Sequence, residues 1–256
     1  MVKEVAIFDF DFRCSNSYDE IADEVIRFDG TNSSKNPFLI TPNVDDVVNW
    51  NKPEYAILKE EFKKSAFVLA DGQPLVLFSK LIGKNLIRRM PGSSLFPFIW
   101  SRIKEKGYPV LLILARNEIC EWYEKDYELC KTYFPPVFDS KDTTQIKNIV
   151  FACKESIEKF NPYFVFIGIQ FPKQNILALE LFRSISVKRM PLFLMLGASM
   201  EFYSGHLKRS PRFFQQIGLE WFYRFCQHPN RLFKRYFIND MQIFKIFIKE
   251  FIKSKN

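Results

Sequence analysis

Short apolar runs recur along the chain at residues 5–8, 38–41, 66–70, 109–114, 161–168 and 191–196. Each is bounded by Pro, Gly, Asn or charged residues and is too brief for a helix, so each reads as a buried strand. Between them the apolar positions return every three or four residues. Ile21, Val25 and Ile26 mark a helix over 18–28, with Ser15 and Ser17 as candidate caps. Further helices are predicted from Asp45, over 74–82 and over 118–132, the last ended by Phe134-Pro135-Pro136. Strands that alternate with helices and carry no polar face predict an α/β fold with a Rossmann-like, mainly parallel sheet flanked by helices. The last stretch differs. Over 239–253, Phe244, Phe247, Ile248, Phe251 and Ile252 follow helical spacing, with Lys245, Lys249 and Lys253 around the rest of the wheel and Asn239 or Asp240 as cap. We therefore divide the chain into an α/β core over 1–206 and a helical, membrane-associating appendage over 207–256 that is basic and aromatic.

Open α/β sheets bind ligands at the carboxyl ends of their strands. Thr41 and Asn43 follow one strand, where their side chains either bond a sugar or nucleotide or cap the turn. Asp71 follows another, with Gly72 allowing close backbone approach. A carboxylate there suits a general base, and the competing reading is an N-cap for the next helix. Lys173 and Gln174 follow a third strand, where a cation meets phosphate and an amide meets a uracil or sugar edge. Lys208, Arg209 and Arg212 follow the sixth, either as a solvated basic turn or opposed by a diphosphate. Asp9-Phe10-Asp11 offers a hydrolase nucleophile or an Asp-x-Asp metal site, but the Thr or Val expected after the second Asp is missing; we read it as a strand-end turn with solvated aspartates.

Charge sharpens the picture at the C-terminus. The 256 residues carry a net +8, and residues 208–256 hold eleven Lys/Arg against three acids, so the whole excess lies there, interleaved with aromatics. Such a face meets anionic lipid or nucleic acid, and its large apolar residues at helical spacing favour lipid. The five cysteines are scattered without a C-x-x-C pair, consistent with a reducing cytoplasm. No signal peptide is evident, and no apolar window reaches the ~18 residues of a membrane span. G-x-G-x-x-G and Walker loops are absent and only His206 and His228 are present, so no cofactor and no metal site are expected. A non-catalytic membrane or nucleic-acid-binding module remains the alternative to an enzyme.

Residues 196–211 and 218–236 together resemble the signature of the WecG/TagA/CpsF glycosyltransferases, glycosyltransferase family 26. That signature is approximately G-x-A-F-D-x-x-A-G-x-x-x-R-A-P followed by G-L-E-W-x-x-R-L-x-x-x-P-x-R-x-x-R-Y. Met200 and Glu201 stand where the family has Phe and Asp, and Ser204 and Ser210 where Ala is common. Residues 41–43, 70–72, 89–92 and 168–174 extend the resemblance in the family's order. Arg88 and Ser94 replace family acids, and Gln170 replaces a glycine of the donor loop. The resemblance implies an inverting transfer from a UDP-sugar to a polyprenyl-diphosphate-linked sugar, the product feeding bacterial surface polysaccharide. It makes Asp71 the base and assigns the donor or substrate to Thr41, Asn43, Arg89, Lys173, Gln174, Glu201, Lys208 and Arg209. The acceptor diphosphate falls to Arg224 and Arg231, with Lys234 and Arg235 sharing a third position. It also implies no metal, no nucleic acid, a peripheral place on the cytoplasmic face of the cell membrane, and self-association as an open alternative.

Overall fold

The computed structural model describes residues 2–31 and 34–255, the side chains of Gln216 and Arg231 excepted. It begins with a hairpin, β1 (Lys3–Ile7) antiparallel to β2 (Phe10–Cys14). The turn between them places both Phe8 (φ 56°) and Asp9 (φ 66°) in the left-handed region. One strand was expected here; the second carries the period-two pattern Phe10, Phe12, Cys14 with Asp11 and Arg13 outward.

The core then runs α1 (Tyr18–Ile26), β3 (Asn36–Ile40), α2 (Val44–Trp50), a 3-10 turn (Pro53–Tyr55), α3 (Ala56–Phe62), β4 (Ser65–Val68), α4 (Gln73–Leu81) and α5 (Gly92–Lys106). It continues through β5 (Val110–Leu114), α6 (Asn117–Asp126), β6 (Cys130–Tyr133), α7 (Thr143–Phe160), β7 (Phe164–Gly168), α8 (Lys173–Ser184), β8 (Leu192–Met195) and α9 (Ser199–Tyr203). Six strands form one sheet in the order β4-β3-β8-β7-β5-β6, every pairing parallel, as the apolar runs predict. The pleat separates two cores. Leu111, Ile113, Val165, Ile167 and Phe193 face α2, α3, α4, α7 and α8. Val110, Leu112, Phe164, Phe166 and Leu194 face α1, α5 and α6.

Besides the hairpin, the core departs from the sequence reading in several elements, α3, α7 and α8 having no predicted counterpart. The helix expected over 118–132 ends at Asp126, and residues 130–133 become an edge strand paired with β5, because Cys130 meets Val110 in register there. Helix α5 had no counterpart, since its start is Gly-Ser-Ser with Pro97 inside the second turn; Leu95, Phe96, Ile99, Trp100 and Ile103 are nonetheless all buried.

The C-terminal segment comprises α10 (Arg212–Gln216), α11 (Glu220–Gln227), α12 (Pro229–Lys234), a π-helical turn (Arg235–Asn239), a 3-10 turn (Asp240–Gln242) and α13 (Ile243–Lys255). The final α-helix starts at Ile243 rather than 239, and neither Asn239 nor Asp240 caps it. Asp240 instead turns its carboxyl toward Asp45 of α2, with which it shares a hydrogen bond. Burial, then the charge of Asp45 and that bond, push Asp240 up to about 7. Arg235 Nη2 stands 3.1 Å from the far side, on Asp45 Oδ2.

One face of α13 returns to the core. Ile243 and Phe247 are buried, and Phe247 lies flat on Phe78 with ring centroids 3.8 Å apart and planes 8° apart, beside Phe8 at 5.5 Å. At its far end Lys253 Nζ reaches Asp9 Oδ1 at 3.1 Å, and Lys59 Nζ reaches Oδ2 at 2.9 Å. The Lys59 hydrogen bond, helped by Lys253 and opposed by partial burial, holds Asp9 at about 2. Asp9 is thus a docking carboxylate in a hairpin turn, outside the parallel sheet. No described helix is long and apolar enough to cross a membrane.

Truncating Phe247 leaves a void between Phe8 and Phe78, so Phe247→Ala is expected to cost about 3 kcal/mol and lower Tm by roughly 6–12 °C in a thermal melt. Asp240 has a second consequence. Its folded-state pKa lies above the unfolded carboxylate value of ~4, so its contribution worsens as pH climbs from that value through about 7. Asp240→Asn, whose amide donates to Asp45 at any pH, is expected to melt roughly 2–4 °C above the wild type at pH 8, with the difference gone by about pH 4.

Candidate active site

The carboxyl ends of β3 and β4 open into a cavity of about 440 Å³. Its core wall is Asn43, Asp45, Asp71, Gln73, Arg89 and Ser93; the C-terminal segment supplies Glu220, Trp221, Arg224, Arg235, Tyr236 and Asp240, with Phe237 and Phe244 further along.

Asp71 is fixed through its backbone. Its amide donates to Pro42 O at 2.9 Å, and the preceding carbonyl, Ala70 O, accepts from Met90 N at 2.6 Å, which ties the Arg89 loop to the same strand end. The N-cap of α4 is Gly72, so Asp71 is not spent as a cap. Among the described residues no side chain bonds its carboxylate. Burial, only partly countered by Arg89 and reinforced by Glu220, pushes Asp71 up to about 7. Asn43, in contrast, does cap: its Oδ1 accepts from the amides of Asp45 (2.8 Å) and Asp46 (3.3 Å), while Asp46 accepts from the Asn43 amide at 3.0 Å. Burial, countered by that Asn43 amide, carries Asp46 up to about 7 as well.

The densest contacts surround Glu220. Arg89 Nη1 donates to Oε2 at 2.7 Å, Arg209 Nε to Oε1 at 3.0 Å, Arg209 Nη2 to Oε2 at 3.4 Å, and Ser210 Oγ to Oε1 at 3.2 Å. Arg89 Nη2 also donates to the Gln215 carbonyl, and Arg209 Nη1 to Ser94 Oγ at 3.0 Å. All three charged side chains are less than a fifth exposed. Burial works against the Glu220 anion, but the bonds from Arg209 and Arg89 outweigh it and hold its pKa below the usual range. Just before it, Gly218 (φ 77°) passes Gln73 so closely that a Cβ would stand 2.9 Å from Gln73 Cγ.

The expected site residues fall into two groups. Asn43, Asp71, Arg89, Arg224 and Arg235 line the cavity; Arg224 lies over the Phe202 ring at 5.5 Å and Arg235 is paired with Asp45. Arg209 sits behind it, on Glu220. Thr41, Lys173, Gln174, Glu201 and Lys208 are not in its lining. A Cβ at Gly92 would lie 3.1 Å from Ser199 Oγ and 3.3 Å from Thr41 Oγ1, so Thr41 is pressed against the start of α5. Gln174 has a buried, unpartnered Oε1, while Lys173 Nζ covers the Phe138 ring at 4.7 Å. Glu201 faces Arg116 at 3.7 Å, its pKa raised by burial against the pull of that arginine, and Lys208 is exposed. The Arg231 side chain lies outside the described residues. Arg88 is structural: it covers Tyr18 at 4.6 Å and donates to Asn16 O.

Glu220, Asp240, Asp45, Gln73, Trp221 and Tyr236 were not assigned to the site from sequence. For four of them a signal existed: Glu220, Trp221 and Tyr236 stand on the G-L-E-W and R-Y of the quoted signature, and Glu220 and Asp240 are two of only three acids in a strongly basic segment.

Comparison with known proteins identifies the family. N-acetylglucosaminyldiphosphoundecaprenol N-acetyl-beta-D-mannosaminyltransferase of Staphylococcus aureus strain MRSA252 is 28% identical over 212 residues, covering 80% of this chain and 78% of that protein. The protein of the same name from strain NCTC 8325 / PS 47 is 27% identical over 214 residues, with the same two shares. The description "Glycosyl transferase WecG/TagA/CpsF family" matches residues 5–256. Spanning nearly its whole length, that match shows that the chain is a glycosyltransferase belonging to the WecG/TagA/CpsF family.

Proposed function

We propose that the protein is an inverting transferase that moves a sugar of the N-acetylmannosamine or glucose type from a UDP-sugar to a hydroxyl of a polyprenyl-diphosphate-linked sugar, for surface polysaccharide. The observation that carries this reading is the Asp71 carboxyl, unpaired and raised to about 7, in the lining of a cavity that also holds arginines and aromatics. A base near neutrality both holds and yields a proton at working pH. The names of the similar proteins add a diphosphoundecaprenol-linked N-acetylglucosamine as acceptor and N-acetylmannosamine as the transferred sugar.

In this reading Asp71 takes the proton of the acceptor hydroxyl as its oxygen bonds the anomeric carbon, and the bond to UDP breaks with its electron pair leaving on the diphosphate. Arg224, which has no carboxylate partner among the described residues, is the cation best placed for the acceptor diphosphate. Arg235 adds a second, shared with Asp45, and Arg89 supplies positive field from behind. Trp221, Tyr236, Phe237 and Phe244 offer the first isoprene units an apolar wall. Gln174, with its unpartnered Oε1, and Thr41 are the donor-side candidates on the neighbouring strand ends.

The lipid also accounts for the outer face of α13. Phe244, Ile248 and Ile252 are more than half exposed, and Lys245 and Lys249 flank them. Such a face lies in a membrane interface.

Two measurements test the proposal. UDP release from a panel of UDP-sugars, with and without a short polyprenyl-diphosphate N-acetylglucosamine, is expected to be acceptor-dependent for one donor and to fall at least about a thousandfold in Asp71→Asn, with unchanged melting. Full turnover in the variant would refute the base. For the membrane, deleting residues from 238 onward would also strip Ile243 and Phe247 from the core, so the triple substitution Phe244→Ser, Ile248→Ser and Ile252→Ser is the cleaner probe. Each change withdraws on the order of 1.5 kcal/mol of apolar burial, and flotation with anionic liposomes is expected to drop by at least about tenfold.

A further inference from the structure

Glu220 is the most heavily bonded acid of the cavity, and the chemistry above gives it no part. Its position is specific. It sits at the start of α11 and takes one guanidinium from the core loop between α4 and α5 and another from the segment leading to α10, so both carboxylate oxygens are occupied. Arg89 is held at both ends, Nη1 by Glu220 and Nη2 by the Gln215 carbonyl. That matters because Arg89 is the cation acting most strongly on Asp71, both side chains line the same cavity, and yet no bond joins them. A free arginine beside an unpaired carboxylate would close on it.

We propose that Glu220 is a positioning residue that anchors Arg89 away from Asp71, keeping the base unpaired in the empty cavity while leaving the arginine's positive field in place. The inference rests on the reading of Asp71 as the base. An arginine salt-bridged to Asp71 would stabilise its anion and weaken it as a proton acceptor. The charges facing Asp71 are Arg89 and Arg224, which favour its anion, and Glu220 and Asp46, which oppose it. Those facing Glu220 are Arg89 and Arg209. Replacing the Glu220 carboxylate by an amide removes one opposing charge and releases Arg89; both effects lower the proton affinity of Asp71.

The experiment is a carboxyl 13C NMR titration of the full-length protein, with the Asp71 resonance assigned by its loss in Asp71→Asn. In Glu220→Gln the Asp71 midpoint is expected to fall by about one pH unit or more, with the acid limb of the turnover profile moving the same way. Glu220→Asp, which retains the charge, is expected to keep the midpoint near the wild-type value. Because Glu220→Gln leaves two buried guanidiniums without their counter-ion, the double variant Arg209→Gln/Glu220→Gln serves if the single one does not fold, and the same downward shift is expected. An unmoved midpoint in whichever of these folds overturns the anchor. Loss of turnover in Asp71→Asn together with an unmoved midpoint rejects the anchor alone. Full turnover in Asp71→Asn rejects the base and the anchor's purpose with it.

Discussion

A single desolvated carboxylate between two guanidiniums ties the C-terminal segment of this protein to its core. Glu220 lies 131 residues beyond Arg89. Removing one partner of such a buried group typically costs 3–5 kcal/mol, because the remaining charge is stranded. The exposed Lys253–Asp9 pair at the other end of the segment belongs to a class worth at most about 1 kcal/mol. Attachment therefore rests on two unlike contacts, the Glu220 cluster beside the cavity and the Phe247 stack behind it. One fixes direction and the other supplies burial. Between them runs the Asp45–Asp240–Arg235 group, which tightens or loosens with proton supply.

Desolvation also sets the chemistry of the site. Asp46, Asp71 and Asp240 are all raised by burial to about 7, while Glu220 beside them is lowered. The difference is one of partners. Glu220 has guanidiniums within bonding distance, whereas Asp71 has them only in its field. A site that separates its carboxyls this way assigns their roles without a change of residue type.

Much of this was legible in the sequence, and the reasons differ from element to element. Five of the six parallel strands, and the strand-end position of Asp71, follow from apolar runs that end in Ala70-Asp71-Gly72 and similar small-residue turns. Strand β6 was hidden because Cys130-Lys131-Thr132-Tyr133 continues a pattern that helix α6 begins, and only its pairing with β5 makes it a strand. Arg89 and Arg209 were legible as important cations. That each would be held by Glu220, rather than left open for phosphate, depends on where α11 lands, and for Arg89 no local pattern encodes a contact across so long a separation. Asn43 takes the capping reading on α2, and it also lines the cavity.

Gly218 shows how fine the tolerance is. It stands two residues before Glu220, its backbone is left-handed, and the space where a methyl group would go is already filled by Gln73. Any side chain there would strain the turn and thrust α11 outward as a rigid lever. Charge-assisted bonds of about 2.7–3.0 Å do not survive such a shift, for an added ångström admits water. The electrical setting of the active site thus depends on an atom the chain omits: a missing carbon works here as the shim that sets the spacing of the whole assembly.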